Sequence, residues 1–195
     1  GNGAIMRYIG DSNPITLNLT VALEAMYPIV PNELVRKDPV TVYLRNASAP
    51  YAIVDSATAV IDSISFTGQF TFSNASSGQY YIVVKHFNSI ETWSRSGGET
   101  MLANGTYNYD FTNLSSKAYG NNMVLKGSKF CIYSGDVNYD GLIDLTDLVA
   151  TYNDAVTFVS GSYVITDINA DNIVDLADVL IANNNTSIFV SVAKP

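Results

Sequence analysis

GDVNYDGLIDLTD, residues 135–147, sets Asp136, Asn138, Asp140, Asp144 and Asp147 at positions 1, 3, 5, 9 and 12 of a twelve-residue frame. Only 14% of the chain is charged, so this density of carboxylates needs a cause. TDINADNIVDLAD, residues 166–178, repeats the frame 31 residues later with Asp167, Asn169, Asp171, Asp175 and Asp178. Alternate oxygen donors let a tight loop wrap a hard cation, and the main-chain carbonyl at position seven (Leu142, Ile173) completes the shell. Gly141 supplies the sharp turn at position six. Asn172 replaces it in the second loop, and Asn is the next best residue for left-handed backbone. Every donor is oxygen, with no Cys or His in either loop, which disfavours zinc and copper. Six or seven oxygens on a flexible loop favour Ca²⁺ over Mg²⁺. Without a cation, carboxylates about 5 Å apart would repel by roughly 3 kcal/mol per pair at an effective dielectric of ~20. Two calcium ions are therefore expected as cofactors.

One helix is expected after each loop, over DLTDLVATYNDA and DLADVLIANNN, while KFCIYSG and GSYVITD before them read as extended rather than helical. Ile143 and Val174, at position eight, are expected to pair the two loops. A duplicated loop-then-helix calcium motif without an entering helix resembles the dockerin domain of cellulosomal proteins, a likeness covering residues 136–185. The resemblance implies a calcium-binding, EF-hand-like attachment module that docks into a cohesin-like receptor. Cohesin-binding dockerins usually carry a Ser-Thr pair at positions ten and eleven and basic residues further along the helix. Here those positions hold Leu145-Thr146 and Leu176-Ala177, and neither helix contains Lys or Arg. The calcium chemistry transfers; the cohesin partner does not.

Before residue 130 the pattern changes to short strands. ITLNLTVAL, PVTVYLRN and QFTFSN alternate apolar and polar residues, and QYYIVVKHF suits a central strand buried on both faces. SIETWSR and TYNYDFTN are further candidates, whereas AIVDSATAVIDSI (52–64) reads as either a short helix or a strand with its loop. Separators such as SNASSGQ, SGG, NGT and YGNN have turn chemistry. The expected class is mainly β with a small α part, an antiparallel β-sandwich of Ig-like or prealbumin-like type ahead of the calcium pair. TGQFTFSNASSGQYYIVVKH resembles the G-x-F-x-F … G-x-Y-x-I-x-V signature of carboxypeptidase-regulatory-like and prealbumin-like sandwiches, which are mostly scaffolds. The expected division is a sandwich over 1–130, with 1–13 a candidate exchanged strand, then the calcium module over 131–186 and a C-terminal strand over 187–195.

Charge narrows the function. Of 195 residues, 10 are Lys or Arg and 18 are Asp or Glu, a net charge of −8. Residues 1–135 balance nine acidic against nine basic side chains, so the excess falls on 136–195, where nine Asp face Lys194 alone. A nucleic-acid partner is disfavoured for want of a basic surface. No apolar run approaches the roughly 18–20 residues of a membrane span. Opening on Gly1 without a leader, the chain reads as a mature exported product, secreted or held at a cell surface. Cys131 is the only cysteine and reads as a small core residue.

Nothing singles out an enzyme. His86, the only histidine, has no nucleophile in motif register and no G-x-S-x-G elbow accompanies it. Glu24, Glu33, Glu91, Glu99, Asp55, Asp62 and Asp110 show no spacing that selects a catalytic pair. Trp93 and the 13 tyrosines admit a sugar-binding platform, although aromatics in strands more often pack in cores. Glycan acceptor sequons occur at Asn18, Asn46, Asn74, Asn104, Asn113, Asn184 and Asn185. The expected function is a non-catalytic extracellular structural protein, calcium-stabilised and self-associating into a filament through exchanged terminal strands, GAIMRYIG and TSIFVSVAKP. Attachment to another extracellular protein through a dockerin-type module is the alternative, and a carbohydrate-binding module the second. Chelation is expected to melt 136–185 and leave most of the sandwich intact.

Overall fold

The computed structural model describes residues 13–195. The expected exchanged strand at 1–13 lies almost wholly outside them. Ten strands are described: β1 (Ile15–Thr20), β2 (Asp38–Asn46), β3 (Ile53–Ile61), β4 (Thr67–Phe72), β5 (Gly78–Lys85), β6 (Thr92–Trp93), β7 (Glu99–Met101), β8 (Thr106–Asp110), β9 (Val124–Lys126) and β10 (Lys129–Cys131). Two helices follow, α1 (Leu145–Ala155) and α2 (Leu176–Thr186). The undecided segment 52–64 is the strand β3.

A three-stranded sheet in the order β4-β1-β8 faces a larger sheet in the order β3-β2-β5-β6, with β7 also paired to β5. Alternation drives the facing. Ile15, Leu17 and Leu19 of β1 point inward, as do Phe70 and Phe72 of β4, Val40, Val42 and Leu44 of β2, and Ile82 and Val84 of β5, all within one apolar cluster. The sandwich is not wholly antiparallel. β1 pairs antiparallel with β4 but parallel with β8, with Thr16 opposite Thr106 and Thr20 opposite Asp110. A parallel neighbour requires a long connection, which the intervening strands of both sheets supply.

β5 is buried on both faces, as its continuous apolar run implies. Its outward residues Tyr81 and Val83 pack with Trp93, Tyr43, Tyr51 and Tyr119. The Tyr81 and Trp93 rings meet edge-to-face at 5.5 Å. Gly98 turns the chain back onto β5 at φ +67°, and a Cβ there would lie 2.7 Å from the Tyr80 carbonyl oxygen, so only glycine fits. Cys131 is fully buried and its thiol is pushed up to about 12, as a core residue should be.

The boundary drawn at 130/131 is not a break in packing. Ile143, Ala170 and Val190 from the C-terminal region belong to the same apolar cluster as the sandwich. Leu23 bridges Ile132, Ser89 bridges Ser134, and Gly135 N donates to the Asn88 carbonyl at 2.7 Å. Asn88 Nδ2 in turn donates to the Asp167 carbonyl at 3.1 Å. The expected C-terminal strand over 187–195 does not form. The segment makes one bridge, Ser191 to Leu142, and folds back on its own chain with Val190 buried. GSYVITD is likewise built of turns rather than a strand.

Glu24 ties the two regions together. Its Oε2 accepts from Asn185 Nδ2 at 2.7 Å and from Ser134 N at 3.1 Å, and Asn185 Nδ2 also donates to the Ser134 carbonyl at 2.8 Å. Asn185 is thus a buried structural residue, and its sequon is inaccessible in the fold. Burial raises the Glu24 carboxyl above its ordinary value, outweighing these hydrogen bonds and the nearby Lys126. At pH values between the unfolded and native pKa, the native state holds a proton that the unfolded chain has released. The associated stability is full below the unfolded pKa and is lost as pH rises through the native one. Urea unfolding across pH should show this decline as pH rises above about 4.5, flattened in Glu24→Gln, whereas Glu24→Ala should cost about 1–3 kcal/mol by stripping a buried acceptor.

Candidate metal centre

Both aspartate loops close by the same hydrogen bonds. In the first, Asp136 Oδ2 accepts from Gly141 N at 3.2 Å, Asn138 Oδ1 from Asp140 N at 2.9 Å, and Asp140 Oδ1 from Leu142 N at 2.9 Å. In the second, Asp167 Oδ2 accepts from Asn172 N at 3.0 Å, Asn169 Oδ1 from Asp171 N at 2.9 Å, and Asp171 Oδ1 from Ile173 N at 3.0 Å. Each asparagine also donates through Nδ2 to the position-five carboxylate, at 2.9 Å and 3.0 Å respectively. Gly141 and Asn172 both take left-handed backbone, at φ +85° and +73°.

Position nine has a role that sequence reasoning missed. Asp144 and Asp175 are the N-caps of α1 and α2, each accepting at 2.7 Å from the amide two residues on. Position twelve completes a capping box. Asp147 Oδ2 accepts from Asp144 N, and Asp178 Oδ2 from Asp175 N, both at 3.0 Å. The other oxygen reaches back to the start of the loop. Asp147 Oδ1 accepts from Val137 N at 2.9 Å and Asn138 N at 3.3 Å, and Asp178 Oδ1 from Ile168 N at 2.7 Å and Asn169 N at 3.0 Å. The D-x-x-D spacing carried this signal.

The two loops do not pair with each other through Ile143 and Val174. Each pairs with the segment beyond the opposite helix. Ile143 N donates to the Val190 carbonyl and Val174 N to the Val159 carbonyl, both at 2.7 Å. Gly141 O accepts from Val192 N at 2.9 Å and Asn172 O from Gly161 N at 3.0 Å. Because alternate residues of an extended segment point opposite ways, the position-seven carbonyls of Leu142 and Ile173 face away from these partners.

Electrostatics are unfavourable to the loops by themselves. Asp136, Asp147, Asp167 and Asp178 are buried. Burial raises the Asp136 carboxyl to about 6, with the Asp147 and Asp140 carboxylates adding to it. Burial likewise raises Asp147, Asp167 and Asp178. Among the described residues, the ion pairs are Arg36–Asp38, Lys37–Asp62 and Arg95–Glu99, none of which neutralises a loop carboxylate. Asp136 Oδ1 is buried with no hydrogen-bond partner. An orphaned carboxylate oxygen in an acidic pocket fits a bound cation, as do side-chain and main-chain oxygens as the only donors. No three His, Cys, Asp or Glu side chains converge as a preformed metal group among the described residues. The carboxylates are turned largely onto loop amides, and the expected shell draws also on Asn and carbonyl oxygens.

The other candidates resolve differently. His86 is buried after β5, its Nδ1 3.1 Å from Ser89 Oγ. Trp93 is buried with Nε1 donating to Glu91 at 2.7 Å, and so offers no sugar platform. Among the described residues no helix is long and apolar enough to cross a membrane.

No protein-family model and no curated protein matches the chain. Among solved structures it is similar to chains of two interface mutants of the type II cohesin–X-dockerin complex from Acetivibrio cellulolyticus. For the C-terminal interface mutant the identity is 16% and the TM-score 0.48, covering 93% of this chain and 96% of that one. For the N-terminal interface mutant the identity is 18%, with the same TM-score of 0.48 and coverage of 93% and 96%. At that level of likeness neither partner nor ligand transfers to this chain.

Asp147→Ala and Asp178→Ala each strip three backbone amides of an acceptor. In the presence of chelator, each is expected to lower the unfolding free energy by about 1–3 kcal/mol in urea, more than Asp140→Ala, whose loop position is exposed.

Proposed function

We propose that the protein is a non-catalytic, calcium-braced docking module of an extracellular assembly, which joins a partner protein through the exposed face of α1 and α2. The observation that carries this reading is an inversion of helix amphipathicity. α1 buries Asp147, Thr151 and Ala155, and α2 buries Asp178, Ala182 and Asn185. Leu148 and Ile181 pack half-buried on a small apolar cluster, but most of the other large apolar side chains face outward: Leu145 is 64% exposed, Leu176 77% and Leu180 57%, with Val149 and Tyr152 beside them. Helices normally bury such a stripe. The stripe repeats at the 31-residue offset, Leu145 with Leu176 and Val149 with Leu180, and lines one shallow groove. Contiguous exposed apolar surface of this kind marks an interaction site. The absence of Lys and Arg from both helices suits a partner with an apolar contact surface.

Two calcium ions, one per loop, brace this face. Asp136, Asn138, Asp140, Asp144, Asp147 and the Leu142 carbonyl would hold one. Asp167, Asn169, Asp171, Asp175, Asp178 and the Ile173 carbonyl would hold the other, with positions nine and twelve acting through water or the free lone pairs of their carboxylates. The ions neutralise the buried charge and so fix the start of each helix. At tenfold excess over a dissociation constant of about 10⁻⁴–10⁻³ M, each contributes about 1.4 kcal/mol. Bound together they bring the net charge from −8 towards about −4.

Self-association is a second reading, favoured by the edge of the larger sheet. Among the described residues β3 pairs on one side only, with β2, and exposes Ile53 and Val60. The C-terminal half of the exchanged-strand scheme loses its support, because Val190 is packed in the chain's own core.

Calorimetric titration of the chelated protein should give two calcium ions per chain, and one for Asp136→Ala. Since Ile143, Ala170 and Val190 share the sandwich core, chelation should deprotect amides near Ala22–Glu24 and Asn88–Ile90 in hydrogen exchange, besides those of both helices. Leu176→Asp with Leu180→Asp should keep calcium binding, measured by calorimetry, but abolish association, measured by sedimentation. Association indifferent to these substitutions would sink the docking face.

A further inference from the structure

A cleft of about 880 Å³ lies between the outer face of the larger sheet and the calcium region, and shares no residue with the helix groove. Its sandwich wall carries Tyr43 and Phe87, and its far wall Tyr139 and Tyr163. The size falls in the ~300–1,000 Å³ range of small-ligand sites, which are commonly aromatic-walled with a few fixed polar groups.

The two far-wall tyrosines are half exposed, at 50% and 53%, though aromatic side chains of this size usually find a core. Both sit on left-handed backbone, at φ +62° and +60°, a conformation bulky residues rarely adopt. A cation steadies each ring. Lys85 Nζ lies 5.6 Å from the Tyr139 centroid and Arg36 Cζ 4.4 Å from that of Tyr163, while Phe87 meets Tyr163 edge-to-face at 5.7 Å. Each ring is thus held by a cation, and the two rings do not stack on each other.

The polar groups complement the rings. Thr41 and Thr58 share a hydroxyl hydrogen bond of 2.8 Å on the floor. His86 forms part of the inner wall, buried, with Nε2 making no hydrogen bond and lying 3.7 Å from Asp38 Oδ1. Lys85 is the one formally charged residue of the cleft lining; with Tyr139 it also lines an adjoining pocket that holds Glu91, Asp136, Asp140 and Lys194. Lys85 on the cleft wall, with Arg36 against Tyr163, favours an anionic group. Apolar ring faces beside hydroxyls select a ligand with C–H faces and hydroxyl edges.

We infer that this cleft binds an acidic oligosaccharide, its sugar rings stacked on Tyr139 and Tyr163 and a uronate carboxylate paired with Lys85. The lining supplies neither of the two carboxyl groups that glycoside hydrolysis commonly uses. The site stands apart from the helix face, so it survives if the docking reading fails.

The test is calorimetry of the full calcium-loaded chain with tetragalacturonate and with neutral cellotetraose. Tetragalacturonate is expected to bind about tenfold more tightly, the worth of one charge-assisted contact. Lys85→Gln should erase that preference. Tyr163→Ala should weaken binding about tenfold, while Tyr163→Phe, which keeps the stacking face, should bind as the parent does. Absence of heat with both sugars, equal affinity for both, or affinity untouched by Tyr163→Ala and Lys85→Gln overturns the assignment. So does concentration-dependent self-association that Tyr163→Phe leaves intact and Tyr163→Ala removes, which would make a second copy the occupant.

Discussion

The position-twelve carboxylates of Asp147 and Asp178 hold the C-terminal region in shape. Each spreads its two oxygens over three backbone amides, two at the start of its loop and one at the N-cap of its helix. A side chain on the first helical turn thereby pins the chain ten residues upstream and fixes the angle at which the helix leaves. Asp144 and Asp175 cap the same turns, so loop and helix form one hydrogen-bonded unit. The cost is a buried ring of like charge, raising the carboxyls above their ordinary values and leaving Asp136 Oδ1 without a partner. A divalent ion would remove that cost at the point where the loop is weakest.

The two units are stitched crosswise. The chain leaving α1 pairs with the second loop through Val159, and the chain leaving α2 pairs with the first through Val190. Neither loop is complete without the other half of the duplication. Val190 and Ile143 also reach the sandwich core, and Glu24 and Asn88 reach from the sandwich into the region of the aspartate loops. A perturbation at either loop is therefore felt at the sandwich end.

This stitching explains the inverted helices. The space against the loops is filled by backbone, carboxylates and small side chains, so α1 and α2 turn Asp, Thr, Ala and Asn inward. Leu145, Leu176 and Leu180 are left exposed and line the apolar groove, while Leu148 packs on the cluster of Ala25, Val137, Ile168 and Ala182. On the opposing side, the loops project Tyr139 and the preceding turn projects Tyr163 towards the sheet, walling the second cleft. One packing arrangement thus produces two surfaces of different chemistry, one greasy and uncharged, one aromatic with a single cation.

Local pattern was enough for much of this. The aspartate spacing placed both loops and both helices, because capping and turn formation act within a dozen residues. Alternation in ITLNLTVAL and the continuous run in QYYIVVKHF announced a sandwich strand and a doubly covered one. Long-range pairing left no such mark. Nothing in TSIFVSVAKP distinguishes a strand offered to a neighbour from a tail returning to Leu142, since both need the same alternation. The parallel partnership of β1 with β8, the burial of Trp93 and Asn185, and the union of Tyr139 with Tyr163 join residues far apart in the chain. By itself the sequence determined the oxygen-rich loops, their helices and the strand-rich character of the rest. Tertiary structure alone decided which faces stayed open, because exposure depends on what the remainder of the fold happens to cover.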